Sequence, residues 1–211
     1  ESKVLVIGAG GLGAPLLLYL TAAGIGTIGI VDFDTISLSN LQRQVLFREQ
    51  DLNLNKADIA KARLRARNSE INITSYPVAL STSNALEILK TYDIVVDCTD
   101  NFRARYLIND ACVKLNKPFV FAAIYKFEGQ LSVFNYAGGP TYRCLFPLPP
   151  KAGEVPNCEE AGVLGVLPGI LGAYQANEVL KIILNIGEVL SGKLVSINLL
   201  TNQQKSFQFK K

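Results

Sequence analysis

The stretch from Lys3 to Asp34, KVLVIGAGGLGAPLLLYLTAAGIGTIGIVDFD, decides the fold. Val4-Leu5-Val6-Ile7 is an apolar run of strand length and largely β-branched character. Gly8-Ala9-Gly10-Gly11-Leu12-Gly13 is a glycine turn. Ala14 to Ala23 has the composition and length of a helix. Thr27 to Val31 is a second β-branched run, and it ends on Asp32. A strand, a glycine turn, a helix and a second strand, with an acidic residue about 20 positions past the glycines, describe a nucleotide site. Gly8 permits the tight turn, Gly10 lets a phosphate approach the backbone, and Gly13 lets the helix pack close to the strand. The helix N-terminus offers unpaired N–H groups and a positive dipole end. Asp32 can accept hydrogen bonds from ribose hydroxyls. The motif does not choose among NAD, FAD and ATP. The competing reading is a parallel sheet whose glycines serve packing alone.

Working outward, Asn55 to Asn68 reads as a helix, with Ala57, Ala60 and Leu64 on one face. Glu70 to Tyr76 alternates as a strand. Ser81 or Thr82 can cap a helix running through Leu89. Asp93 to Cys98 is a short buried strand, and Thr99-Asp100-Asn101 follows it. Arg103 to Leu115 reads as helix and Pro118 to Ala123 as strand. This alternation predicts a parallel sheet with helices on both faces. Ligands then sit beyond the carboxyl ends of the strands, where the glycine turn, Asp32 and Thr99-Asp100-Asn101 converge. The later chain differs. Gly129 to Tyr136 alternates as an antiparallel strand. Residues 137–160 form a long Gly- and Pro-rich loop without regular structure, a type that is often functional. Leu167 to Leu184 is a helix, and Lys193 to Leu199 and Lys205 to Phe209 are closing strands. The expected fold class is α/β: a Rossmann-like, mostly parallel doubly wound sheet with antiparallel strands added in the C-terminal part. One domain is expected over 1–211, with a nucleotide-binding half at 1–123 and a second half at 124–211.

Composition narrows the function. The chain has 211 residues, 49% of them hydrophobic and 18% charged, which suits one globular domain. A net charge of +3, without a Lys/Arg-rich run, gives no case for nucleic acid. No uninterrupted apolar run reaches membrane-span length, and no signal peptide is visible. The sequence has no Met and begins almost on its first strand, so an upstream segment is expected to be missing. Cys98, Cys112, Cys144 and Cys158 are separated by 13, 31 and 13 residues, which matches no C-x-x-C metal pair. Reduced thiols in a cytoplasm are the expectation. The absence of histidine excludes His-based acid–base catalysis, His metal ligation and Ser-His-Asp chemistry.

Three features go beyond a generic dinucleotide fold. Ser39-Asn40-Leu41-Gln42-Arg43-Gln44 lies just past the ribose-binding strand, and Lys56 opens the next helix. Arg43 and Lys56 can clamp phosphates and neutralise charge as pyrophosphate leaves, or can be solvated surface cations. Asp100 follows a buried strand and suits Mg²⁺, which prefers carboxylate and phosphate oxygens. It can instead cap the helix starting near Phe102, a place Asn101 can also take. Cys158 sits in the long loop near a helix start, where a thiol is either nucleophilic or inert.

Taken together, GAGGLG, VDFDTISLSNLQRQ, Lys56, DCTDN, YRCLFP, PNCEEAGVLGVLPG and QANEVLKI resemble the MoeB/ThiF/HesA adenylyltransferases, relatives of ubiquitin-activating enzymes. The resemblance covers essentially the whole chain in order. It implies an enzyme that binds ATP and Mg²⁺ and adenylates the C-terminal glycine of a ubiquitin-like, Gly-Gly-tailed sulfur-carrier protein of the molybdopterin or thiamine type. Carried over by position, Gly8, Gly10, Gly11, Gly13, Asp32, Asp34, Ser39, Asn40, Gln42, Arg43, Lys56, Thr99, Asp100 and Asn101 line the nucleotide. Asp100 holds the magnesium and is essential. Residues 124–211 would bind the carrier, with the loop at about 137–160 crossing over its tail. Cys158 matches a cysteine that bonds to the carrier in some members and is dispensable in others. A cytoplasmic homodimer is implied. Relatives with structural zinc use two C-x-x-C pairs; here Thr141 stands three before Cys144 and no second pair follows, so no zinc is expected. Relatives also carry an N-terminal helix that supplies an arginine to the partner's site. Without one, weak or absent activity is expected, and some relatives add a C-terminal rhodanese domain. The alternatives are adenylation of a tRNA or peptide, an NAD-dependent oxidoreductase, and a non-catalytic scaffold subunit.

Overall fold

The computed structural model describes residues 2–150 and 162–211. Eight strands form one sheet: β1 Lys3–Ile7, β2 Thr27–Val31, β3 Asn72–Tyr76, β4 Ile94–Asp97, β5 Phe119–Tyr125, β6 Glu128–Phe134, β7 Lys193–Asn198 and β8 Gln203–Gln208. The order across the sheet is β3-β2-β1-β4-β5-β6-β7-β8. β3 to β5 pair in parallel, and β5 to β8 pair antiparallel. The expected fold class holds: a parallel doubly wound half with antiparallel strands added.

Among the described residues six α-helices accompany the sheet: α1 Gly13–Ala22, α2 Lys56–Arg67, α3 Ala85–Leu89, α4 Phe102–Lys114, α5 Tyr142–Leu145 and α6 Val166–Leu184. Strand alternation sorts the core into two layers. Val4, Val6, Ile28, Ile30, Val96 and Val120 join Leu16 and Leu20 of α1, Ala60 and Leu64 of α2, and Leu171 and Val179 of α6. Leu5, Ile7, Val31, Val95, Phe119 and Phe121 face the other way, onto Leu89 of α3, Ile108 of α4 and Tyr142 of α5. Each such Leu or Phe contributes about 1.5–3 kcal/mol on burial, so a one-residue register slip would exchange both layers and is strongly disfavoured.

Two local expectations change. The third helix starts at Ala85 and not near Ser81. Asn84 is its N-cap position, and the Asn84 side chain accepts from Ser81 N–H (2.8 Å) and donates to Ala79 O (2.9 Å). Those bonds close the Ser81–Asn84 segment as a turn before the helix begins. The expected structureless loop contains α5. Tyr142 is driven into the core against Phe119, Phe121 and Phe134, and its ring anchors that helical turn.

The registers put Ile7 opposite both Val31 and Asp97, so β1, β2 and β4 end level with one another. The chain winds outward from β1 in one direction to β3 and in the other to β5. The crevice between the ends of β1 and β4 is therefore the topological switch point.

Candidate functional site

The glycine turn links β1 to α1 at that crevice. Gly8 has φ +98, and a Cβ there would stand 2.6 Å from Cys98 O. A Cβ on Gly13 would stand 2.0 Å from Gly8 O. Both positions exclude side chains on the protein's own account, because α1 docks backbone to backbone on the β1 and β4 ends. Gly10 is different: its nearest neighbour is Gln44 Nε2, 3.5 Å from the Cβ position, so the fold itself tolerates a methyl there. Among the described residues, nothing accepts a hydrogen bond from the N–H of Gly10, Gly11 or Leu12, while Ala14 N–H already bonds Gly10 O at 2.9 Å. Successive free N–H groups at a helix N-terminus form a concavity suited to an anion.

Asp32 closes one side of the turn. Its Oδ2 accepts from Ala9 N–H at 2.8 Å and its Oδ1 from Asp34 N–H at 2.9 Å. Burial pushes its carboxyl above the ordinary range, against the pull of those two N–H groups and of Lys56. Each oxygen keeps a lone pair for a further donor. Lys56 is buried, with its Nζ 3.0 Å from Asp34 Oδ2. Its backbone N–H bonds Asp34 O at 2.9 Å, and Asn55, the N-cap of α2, donates to both Asp32 O and Asp34 O. The start of α2 is thereby tied to the end of β2. Two of the expected nucleotide-lining residues, Asp34 and Lys56, pair with each other here.

The segment after β2 folds back over the turn. Arg43 Nη1 donates to Ser39 O at 3.1 Å, and the Arg43 Cδ lies 3.6 Å from the Cβ position of Gly11. Asn40 is buried and uses its Oδ1 to accept from Ser37 N–H at 3.4 Å, so its amide shapes its own loop. Ser39 Oγ pairs with Ser37 Oγ at 3.0 Å. Gln42 is exposed but abuts the start of α6, since a Cβ on Gly165 would stand 2.6 Å from Gln42 Oε1. Pro168 of α6 reaches Gly11 at 3.1 Å by the same measure. The long C-terminal helix therefore begins against the glycine turn.

The third wall is the end of β4, held by a buried network that the sequence does not advertise. Asp97 is fully buried and accepts from Thr99 N–H (2.8 Å), Thr99 Oγ1 (2.6 Å) and Arg105 Nε (3.2 Å). Burial pushes its carboxyl up while Arg105 and Thr99 pull it down, and for Arg105 the opposing effect of burial is outweighed by the Asp97 charge, which shifts the guanidinium upward. Arg105 stacks 4.9 Å from the Phe121 ring centroid. Gln175 of α6 donates to Asp97 O at 2.8 Å and accepts from Cys98 Sγ at 3.5 Å. The Thr99 hydroxyl is thus turned inward. Asn101, not Asp100, caps α4, with its Oδ1 accepting from Ala104 N–H at 2.9 Å. That leaves Asp100 exposed, bonded among the described residues only by Asn101 Nδ2 at 3.4 Å.

An exposed carboxylate two residues past Cys98, whose backbone abuts Gly8, suits Mg²⁺, which is commonly bound by one or two carboxylates together with substrate phosphates and water. Among the described residues, no three His, Cys, Asp or Glu side chains group closely enough to hold a metal by themselves. Cys144 is exposed, and its Sγ lies 3.4 Å from Thr141 Oγ1. Cys158, and most of the expected crossover loop's second half, lie outside the described residues. No helix of the described residues is long and apolar enough to cross a membrane. Sequence reasoning passed over Gln44, Asp97, Arg105 and Gln175. The one available signal was an Asp at the end of an apolar strand and an Arg one helical turn into α4.

The ThiF family matches residues 1–211, the whole chain. A "Sulfur carrier protein adenylyltransferase" of Thermus thermophilus is 52% identical over 200 residues, covering 92% of this chain and 74% of that protein. An "Adenylyltransferase and sulfurtransferase MOCS3" of Aedes aegypti is 52% identical over 195 residues, 92% of this chain but 45% of that protein, so the chain spans about half its length. Among solved structures, E. coli MccB with MccA-N7isoASN superposes with a TM-score of 0.89 at 25% identity, and E. coli MccB with ATP with 0.87 at 26%. Both cover all of this chain, which spans 65% of each.

Proposed function

The chain belongs to the ThiF family, and we propose that it is an adenylyltransferase that activates the C-terminal carboxylate of a small Gly-Gly-tailed sulfur-carrier protein with ATP. The carboxylate oxygen attacks the α-phosphorus, the bond to the pyrophosphate oxygen breaks, and an acyl-adenylate remains. The observation that carries the reading is the free N–H row of Gly10, Gly11 and Leu12, with Arg43 packed against Gly11 and Lys56 paired with Asp34 just past the end of β2. Attack of one anion on another needs charge neutralisation and positioning more than a proton-transfer base. A hydride-transfer enzyme has less need of those cations, because its cofactor phosphates do not react.

In this reading the glycine turn cradles the phosphates and Asp32 takes the ribose. Arg43 and Lys56, with Asn40, Gln42 and Ser39 beside them, face the phosphate chain. Lys56 has two N–H donors left beyond the one directed at Asp34. Asp100 is the residue that would hold Mg²⁺, and the ion would supply screening of the phosphate charge there. Thr99 and Asn101 fix the backbone that presents Asp100. The carrier tail enters over the second half of the chain, and the working unit is a homodimer. The names of the relatives support the substrate class, and the ATP-bound neighbour supports the nucleotide. ATP–pyrophosphate exchange tests it. The wild type exchanges only with a Gly-Gly-tailed carrier and Mg²⁺, and Asp100→Ala reduces exchange about a hundred- to a thousandfold, as the loss of a group acting on transition-state charge does. Unchanged exchange in Asp100→Ala would refute its metal role.

A further inference from the structure

Gln44 is 3% exposed, and its Oε1 is a buried acceptor with no partner among the described residues. Its backbone is fixed from both sides: Gln44 N–H bonds Asn40 O and Phe47 N–H bonds Gln44 O, each at 3.0 Å. The side chain is therefore aimed by a closed turn. Its amide lies against Gly10, with Nε2 3.5 Å and Cδ 4.0 Å from the place where a Cβ would stand. Gly10 is also the first of the consecutive free N–H groups in the anion cradle. An unsatisfied buried amide costs about 1–3 kcal/mol, and an apolar side chain of the same volume avoids that cost. Leu46 and Phe47, its buried neighbours, show that this loop accepts apolar residues. As the amide stands, its Nε2 lies beside Gly10 and donates to no acceptor among the described residues, so an N–H donor is already held against the glycine turn.

We infer that Gln44 is a further phosphate-contacting residue, donating from its amide to a nucleotide phosphoryl oxygen seated over Gly10. The inference rests on the nucleotide reading above. Its signature is a stability and an affinity that move in opposite directions. Gln44 Oε1 has no partner among the described residues, so a linear apolar side chain in its place is expected to stabilise the nucleotide-free fold. With nucleotide bound, the same replacement removes a contact to phosphate and none to the nucleoside.

The test is thermal unfolding together with isothermal titration of Gln44→Met against ATP and against adenosine, with Gln44→Leu as a second apolar replacement. The expected result is a Tm raised by a few degrees without nucleotide, an ATP Kd weakened about tenfold, equivalent to about 1.4 kcal/mol, and an unchanged adenosine Kd. A lowered Tm with ATP and adenosine weakened together would assign Gln44 to packing and overturn the inference. An unchanged ATP Kd would also overturn it. Failure of the wild type to bind ATP would overturn the nucleotide reading and this inference with it.

Discussion

The glycine turn shows how residues of one type do different jobs. Gly13 is required by the fold, since a methyl there meets Gly8 O at 2.0 Å. Gly10, if the turn cradles phosphate, is required only by the ligand. Gly13→Ala therefore loses about 2 kcal/mol or more of stability through overpacking that backbone cannot relieve. Gly10→Ala keeps its Tm within about 1 °C and loses at least about tenfold in ATP affinity. Thermal unfolding and ATP titration of the two variants check this, and equal losses of stability in both would contradict the division of roles. At this scale the sequence was only partly legible. GAGGLG and Asp32 announce themselves by spacing. Whether Asp100 or Asn101 caps α4 does not, because both can cap. The buried state of Gln44 is invisible for the same reason: a polar residue in a loop reads as solvated until the fold closes over it.

The parallel half was legible because each apolar run matches one period and one length. The helices at Lys56–Arg67 and Phe102–Lys114 fall within about a residue of their expected bounds. The later part was less so, since the anchor of α5 is tertiary. Tyr142 packs among strand aromatics distant in sequence. Arg143 grips Asp110 of α4 through two 2.7 Å bonds, with its guanidinium 4.8 Å from the Tyr106 ring centroid. The Arg143 hydrogen bonds hold the Asp110 carboxyl below its ordinary range. A carboxyl depressed on folding contributes stability above its unfolded value of about 3.9, and the contribution is lost as pH falls through the folded value. Asp110→Asn is accordingly less stable than the wild type by about 0.5–1 kcal/mol at pH 7, the scale of a well-aligned surface pair. The difference closes once the pH drops below the folded Asp110 value. Urea unfolding across pH measures it, and a gap that persists in acid would show that the ion pair is not its source.

Across the whole molecule, the sheet brings three separate segments to one line of strand ends, and α6 locks them from outside. Gln175 ties α6 to β4, while Pro168 and Gly165 seat it on the glycine turn and on Gln42. The half that carries the glycine turn and the chain beyond β5 are thus packed against each other. A homodimer predicts a sedimentation mass twice that of one chain, and a concentration-independent monomer would contradict it. Carrier adenylation is read from ATP–pyrophosphate exchange with a Gly-Gly-tailed carrier, with and without Mg²⁺. Exchange that requires both is the predicted result. Retained ATP binding without exchange for any carrier would contradict the claim and point to a scaffolding chain instead.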